Sequence, residues 1–295
     1  ETVIILTRDG YIKRMAPNIF KAQKRGGKGL IGFELKEEDQ IHQFISANTH
    51  DNILFFTDRG RVFQTKVYEV PIASRAAKGK SIHTFLTVPP NEKINSVIAY
   101  PEEQSNKNAS FLVMATKNGI IKKTSLTDFE NVRKNGIIAI NLKSDDFLKW
   151  AKLSEGDNQI ILVTARGQAI RFKEKDIQPL GRTAAGVRAI RLKKDDSVAG
   201  LDIIKSERSL KLLVVTANGF AKQTPLKAYK LQRRGGSGIK TAKITAKTGV
   251  AIAGQIINEG IEEVLVFSKK GQALRTELKN IRLAGPATQG VRIMN

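Results

Sequence analysis

The chain has 295 residues, 41% of them hydrophobic, which is enough for a core and too many for a disordered segment. Its formal charge is +22, with a pI near 10.1, so it repels itself and suits an extended polyanion, either nucleic acid or an anionic membrane surface. It has no cysteine, which excludes thiol chemistry and disulfides, and His42, His50 and His83 are scattered without ligand spacing.

No apolar run approaches the roughly 18 residues of a membrane span. The sequence opens on Glu1 without a signal-like segment and is expected to be a piece of a longer chain.

The first element is Val3-Ile4-Ile5-Leu6-Thr7-Arg8-Asp9-Gly10: four apolar residues, a Thr, two polar residues and a Gly. The same unit returns at residues 53–60, 112–119, 160–167, 212–219 and 264–271, with Ser268 in place of Thr in the last copy. Successive hairpin glycines, Gly10, Gly60, Gly119, Gly167, Gly219 and Gly271, are 50, 59, 48, 52 and 52 residues apart. Four consecutive apolar residues, mostly β-branched or aromatic, predict a short strand buried on both faces. The polar-Gly pair then predicts a tight hairpin turn.

A second strand follows. Two places after the glycine it carries Ile12, Val62, Ile121, Ala169, Ala221 or Ala273, and four places after it Arg14, Gln64, Lys123, Arg171, Gln223 or Arg275. A glycine-containing loop comes next, ending at Gly29, Gly79, Gly136, Gly186, Gly238 and Gly290. After it, alternating segments such as 137–142 and 187–192 predict half-buried strands.

These patterns predict an all-β fold of six blades of about 50 residues, arranged radially around an axis. The blades cover approximately residues 1–50, 51–108, 109–157, 158–209, 210–261 and 262–295, within a single domain spanning residues 1–295. The sixth copy stops short of its last strands, so the ring either closes by borrowing strands between its ends or stays open. Pro101 to Asn108 is a polar insertion that explains the longest spacing.

The loops carry the charge. In Gln23-Lys24-Arg25-Gly26-Gly27-Lys28-Gly29, three cations and three glycines share seven positions. Glycine lets the backbone come close to a ligand, and Arg offers a planar fork suited to phosphate. Arg25, Arg75, Arg182 and Arg234 stand four residues before the final glycine of their loops. Lys78, Arg133, Lys134 and Arg233 add to the set, while the sixth loop has lost its charge. One cationic loop per blade at a fixed register predicts a charged rim, to which the second-strand cations Arg14, Lys123 and Arg171 are expected to contribute.

A bent duplex can follow such a rim. Bending about 40 bp through a half-circle costs roughly 10 kcal/mol, from a persistence length of about 150 bp. About ten phosphate contacts, at roughly 1 kcal/mol each from counterion release, offset that. The loops favour phosphate over base edges, and stacking aromatics for single strands are few.

Other motifs carry less. Gly79-Lys80-Ser81 ends like a nucleotide P-loop, but the required first glycine is Ser74, and residues 82–86 read as strand rather than helix. The acidic pairs Glu38-Asp39, Asp145-Asp146 and Asp195-Asp196 recur at one architectural position, as turn residues do.

Residues 23–29 resemble the signature box Q-R-R-G-G-K-G of the C-terminal domain of the DNA gyrase A subunit. Asp9-Gly10-Tyr11-Ile12-Lys13-Arg14 resembles that family's first repeat, and the repetition covers essentially the whole chain. The resemblance implies a six-bladed β-pinwheel whose blades exchange strands. It also implies a non-catalytic domain that wraps double-stranded DNA around its rim so that gyrase can introduce negative supercoils.

It further implies two partners, the N-terminal part of the gyrase A subunit and the whole gyrase B subunit. These form an A2B2 assembly in the bacterial cytoplasm near the nucleoid, with no membrane. No cofactor is expected in this domain. ATP and Mg belong elsewhere in the holoenzyme, and the cleaving tyrosine is not sought among Tyr11, Tyr68, Tyr100 and Tyr229. Lys24 departs from the box, keeping charge without the fork. The alternatives are the equivalent domain of topoisomerase IV, or a basic propeller that scaffolds proteins or lies on membrane.

Overall fold

The computed structural model describes residues 1–16, 41–74, 77–105, 110–132, 135–205, 208–267 and 273–294. They group into two compact units. One comprises residues 1–107, 129–139 and 267–273, and the other residues 108–128, 140–266 and 274–295.

The first unit holds two four-stranded antiparallel sheets. In one, the hairpin Thr2–Thr7 and Tyr11–Met15 is flanked by Ile41–Ala47 on its first strand and Lys80–Ser81 on its second. In the other, Asn52–Thr57 and Arg61–Lys66 are flanked by Ile94–Tyr100 and Ile137–Ile138.

The second unit repeats the plan three times. Its hairpins are Phe111–Thr116 with Ile120–Ser125, Gln159–Thr164 with Gln168–Lys173, and Lys211–Thr216 with Phe220–Pro225. They are flanked by Leu148–Ser154 and Val187–Arg188, by Val198–Ile204 and Ile239–Lys240, and by Ala251–Ile257 and Val291–Arg292. The sixth repeat contributes the hairpin Glu263–Phe267 with Ala273–Glu277. The chain is therefore all-β and built of four-stranded blades, five of them complete among the described residues.

The fourth strand of every complete blade comes from the repeat that follows. Ile12 pairs with Lys80, Val62 with Ile137, Ile121 with Val187, Ala169 with Ile239 and Ala221 with Val291. Here the structure corrects the alternating segments read from sequence. Each supplies two strand residues, and the chain then bends inward on buried pairs, Ala139 and Ile140 or Ala189 and Ile190. The blade's own third strand begins later, at Leu148 and Val198.

The repeated unit has local chemical causes. Gly10, Gly60, Gly119, Gly167 and Gly219 all have φ between 74° and 84°, where a side chain is strained. The Thr three residues earlier accepts, on its Oγ1, the N–H that follows the glycine: Tyr11 to Thr7 at 3.0 Å, Arg61 to Thr57 at 3.1 Å and Ile120 to Thr116 at 3.1 Å.

The apolar tetrads of the first five repeats are buried on both faces, Ile53 to Phe56 entirely, whereas Val264 and Val266 of the sixth are half-buried. The acidic pairs Asp145-Asp146 and Asp195-Asp196 are turn residues, as read, while Glu38-Asp39 lies outside the described residues. Asp146 Oδ1 accepts from Asn118 N at 3.0 Å and Asp196 Oδ1 from Arg166 N at 2.9 Å, tying each turn to the neighbouring hairpin.

Ile82–Phe85 is one turn of α-helix, not the strand read from sequence. The lent strand ends where Ile82 N bonds Gly10 O at 2.7 Å, and the chain closes a turn from Leu86 N to Ile82 O at 2.8 Å. Ser74 still stands where a P-loop needs its first glycine. No helix among the described residues is long and apolar enough to cross a membrane.

Candidate nucleic-acid interface

Each glycine loop among the described residues is fastened to the blade before its own. Gly79, Gly186, Gly238 and Gly290 have φ between +70° and +92°. A Cβ on any of them would lie 2.4–2.6 Å from a main-chain oxygen of the preceding blade's second strand, on Ile12, Ile121, Ala169 and Ala221 respectively. The loop glycines are therefore required by close backbone approach as well as by dihedral angle. In the shorter third loop the neighbour is the Phe63 ring, 2.7 Å from the position of a Cβ on Gly136.

The box residues Gln23, Lys24, Arg25, Gly26, Gly27, Lys28 and Gly29 lie outside the described residues, as do Arg75, Arg133 and Lys134. The remaining expected contacts divide into two groups. Lys78 and Arg233 are exposed, and Lys78 Nζ stands 3.9 Å over the Tyr11 ring. Arg182 and Arg234 are half-buried. Arg234 donates from Nε to Asp176 O at 2.9 Å and from a terminal nitrogen to Arg188 O at 3.1 Å, holding the fifth loop against the fourth repeat while its face stays in reach of solvent.

The second-strand cations are a correction. Lys123 is 4% exposed and Arg171 8%, so neither ammonium nor guanidinium lines a surface. Arg171 donates to Gln159 Oε1 at 2.7 Å and to the carbonyls of Tyr229 at 3.1 Å and Leu226 at 3.4 Å. Lys123 Nζ lies 3.6 Å from the carboxylate of fully buried Glu174 and 4.9 Å from the centre of the Phe111 ring. Arg14 is half-buried and donates to Val70 O and Tyr68 O at 3.2 and 3.1 Å.

Gln223 explains the pattern. It sits at the same position without charge, and its amide donates to Leu278 O and Ile281 O at 2.5 and 2.8 Å. Arg14, Lys123, Arg171 and Gln223 all reach carbonyls in or just after a short 3-10 turn of the next repeat, at residues 67–69, 174–176, 226–228 and 278–280. Gln64 at the same register instead donates to Tyr100 Oη. The position calls for a long donor, charged or not.

One register earlier, sequence reasoning missed a set. Lys13, Lys122 and Lys222 stand three places after their hairpin glycines. Lys122 Nζ donates to Gly181 O and Arg182 O at 2.9 and 2.6 Å, and Lys222 Nζ to Gly285 O and Pro286 O at 2.8 and 2.5 Å. Lys13 Nζ donates to Ala77 O at 2.7 Å. Each ammonium fills the next repeat's loop and turns loop carbonyls inward, away from any anion outside.

Burial pushes the Lys122 and Lys222 ammoniums down to about 8, and Lys13 in the same direction. For Lys122, Asp128 opposes the shift and Arg182 adds to it. The second and fourth repeats have Phe63 and Ile170 at this register, and Ile170 lies under Gly236 of the glycine-rich fifth loop. The alternation of Lys with apolar residues was the available signal.

The chain matches the family model described as DNA gyrase C-terminal domain, beta-propeller, over residues 1–48, 51–100, 110–155, 158–205, 210–253 and 262–295. It is 42% identical over 294 residues to the DNA gyrase A subunit of Staphylococcus epidermidis, and 40% identical over 297 residues to that of Mycolicibacterium smegmatis. Each alignment covers all of this chain but 33% and 35% of the relative, so the chain spans about a third of their length.

A solved structure of the DNA gyrase A C-terminal domain superposes with a TM-score of 0.81 at 27% identity, covering 99% of this chain and 94% of that one. The C-terminal domain of DNA topoisomerase IV superposes with a TM-score of 0.81 at 24% identity, covering 100% and 88%, which is a likeness of fold.

Proposed function

This chain belongs to the DNA gyrase C-terminal, β-propeller family, and on that footing we propose that it acts as one domain that binds duplex DNA and wraps it along its cationic loops. One observation carries the proposal: loops at one register of the second, fourth and fifth repeats, each pinned by its final glycine to the preceding blade, present Lys78, Arg182, Arg233 and Arg234 in a chain of charge +22. Pinned loops hold their cations in place before the polyanion arrives, so less ordering entropy is lost on binding. The box at Gln23 to Gly29 is the principal anchor in this reading, and the other loops guide the path.

Under the same reading the domain is non-catalytic and holds no cofactor. The wrap presents a second duplex segment to the rest of a gyrase in the bacterial cytoplasm. There the remaining two thirds of the A chain and the separate B chain supply cleavage and the ATP- and Mg-dependent steps. The 42% identity to a gyrase chain, together with a box that departs only at Lys24, favours gyrase over topoisomerase IV.

The test is topological. Relaxed circular DNA is nicked and religated with the chain bound, and its linking number is compared with that of a variant in which Gln23 to Gly29 are alanines. A shift with the parent chain that vanishes in the variant supports the anchor, and equal shifts remove it.

A further inference from the structure

Ile72, Pro179, Leu231 and Leu283 each stand seven residues before the final glycine of their loop, and all are exposed. Ile72 is 75% exposed, the highest value among the exposed large apolar side chains of the described residues, with Leu283 at 54% and Leu231 at 43%. Single exposed apolar residues are ordinary. These recur at one register, directly ahead of the glycine loops, three of which carry cations.

Their backbone is clamped on the preceding blade. Each forms an isolated parallel bridge to the second-strand donor position: Ile72 with Arg14, Pro179 with Lys123, Leu231 with Arg171 and Leu283 with Gln223. Around Ile72, Arg14 N bonds Pro71 O at 2.8 Å and Ala73 N bonds Arg14 O at 3.2 Å. Around Leu283, Gln223 N bonds Arg282 O at 3.1 Å and Ala284 N bonds Gln223 O at 2.8 Å. The residue between the two bonds faces outward on a backbone that does not need to be ordered by a ligand. A rigid main chain holding a bare Ile or Leu in water at repeated sites is poorly explained by solvation.

The surroundings select the occupant. Leu231 lies between exposed Lys230 and Arg233, and Leu283 follows exposed Arg282, in a loop that has otherwise lost its charge. An apolar side chain with cations close by in the chain fits a polyanion that also offers an apolar facet. The sugar edges of a duplex minor groove are such a facet, and Ile, Leu and Pro are side chains that proteins wedge there to bend DNA. We propose that Ile72, Pro179, Leu231 and Leu283 are minor-groove wedges, which contact deoxyribose where the duplex bends over each loop while the neighbouring cations hold phosphates. This rests on the wrapping reading and adds to it a division of labour: cations set affinity, and wedges set curvature.

The test compares the parent chain with a variant carrying Ile72→Ser, Leu231→Ser and Leu283→Ser, and with a second carrying Met at the same three positions. The side chains are exposed, so thermal unfolding of both variants is expected to match the parent. Two properties are read: the linking-number shift on relaxed circles, and hydroxyl-radical cleavage of a bound linear duplex of about 150 bp, one persistence length.

The serine variant is expected to keep the parent's salt slope of binding, to lose about twofold or more of the linking-number shift, and to lose periodic protection of sugars. The methionine variant keeps both. A serine variant with the parent's shift and the parent's protections would overturn the proposal. A parent chain that binds DNA without shifting the linking number sinks the wrapping reading instead, and its sugar protections, lost or kept in the serine variant, still decide the apolar contact.

Discussion

The ammonium of Lys122 lies 2.6 Å from the main-chain oxygen of Arg182, sixty residues away in sequence. Two effects compete there. The ammonium satisfies loop carbonyls whose exposure to nothing would cost about 1–3 kcal/mol. Against that, burial lowers its pKa to about 8, which means the charged form is less comfortable in the loop than in water. Replacing Lys with Met removes the desolvated charge and the carbonyls' donor together, so the two terms largely offset. We therefore expect Lys122→Met and Lys222→Met to leave global stability within about 1 kcal/mol of the parent. Amide exchange over residues 181–186 and 285–290 is expected to quicken, and DNA affinity to fall. A loss of several kcal/mol in urea unfolding would mean that the lysines hold the fold itself.

The same lysines predict how stability changes with pH. Their folded pKa lies below the unfolded 10.5, so between about 8 and 10.5 the unfolded chain binds more protons than the folded one. Stability then rises with pH across that window, by at most about 1.4 kcal/mol per pH unit for each lysine. Below about 8 both states are protonated and the burial penalty is fully present, so no slope arises from these groups. Loss of general positive charge at high pH acts in the same direction. The comparison that isolates the lysines is urea unfolding of the parent against the double methionine variant at pH 7.5, 9 and 10, the parent gaining stability relative to the variant as pH rises.

Much of the fold was legible in the sequence, because strand, turn and loop signals repeat with the blade. Gly10, Gly60, Gly119, Gly167 and Gly219 marked the hairpins, and Ile53 to Phe56 marked a strand buried on both faces. Lending of the fourth strand was implied by family likeness alone. Only pairings such as Ile12 with Lys80, 68 positions apart, reveal it, and no local pattern encodes a partner at that distance. Charge misled at Lys123 and Arg171, since a long cation that serves as a buried donor looks the same in sequence as one that faces a phosphate. Gln223 in the same register was the available warning. The lysines at 13, 122 and 222 went unread because their partners are carbonyls, which every residue has.

Gly186→Ala tests why the loops end in glycine. The new Cβ would lie 2.6 Å from Ile121 O, at φ +90°, and the nearest atom is main chain that cannot rotate away. Dihedral strain and the clash together are expected to cost about 2 kcal/mol or more. Gly181→Ala in the same loop meets nothing within 4 Å and serves as the control, with a change of about 0.5 kcal/mol or less. Equal melting temperatures for the two variants would show that the close approach does not exist in solution.

Glu174→Gln and Arg233→Ala separate the buried cations from the exposed ones. Glu174 is fully buried, accepts from Ser154 Oγ at 2.7 Å and from Asn158 N at 3.2 Å, and faces Lys123 Nζ at 3.6 Å. Removing its charge leaves the Lys123 ammonium buried without a counterion, which is expected to cost about 3–5 kcal/mol of stability. The slope of log affinity against log salt should not move, because no cation that meets DNA has been lost. Arg233→Ala should do the reverse. Its side chain is exposed, so stability stays within about 0.5 kcal/mol, and loss of one phosphate contact lowers the salt slope by about 0.9. If Glu174→Gln flattened the salt dependence at unchanged stability, Lys123 would have to reach DNA after all, and the division between inter-blade donors and rim cations would fail.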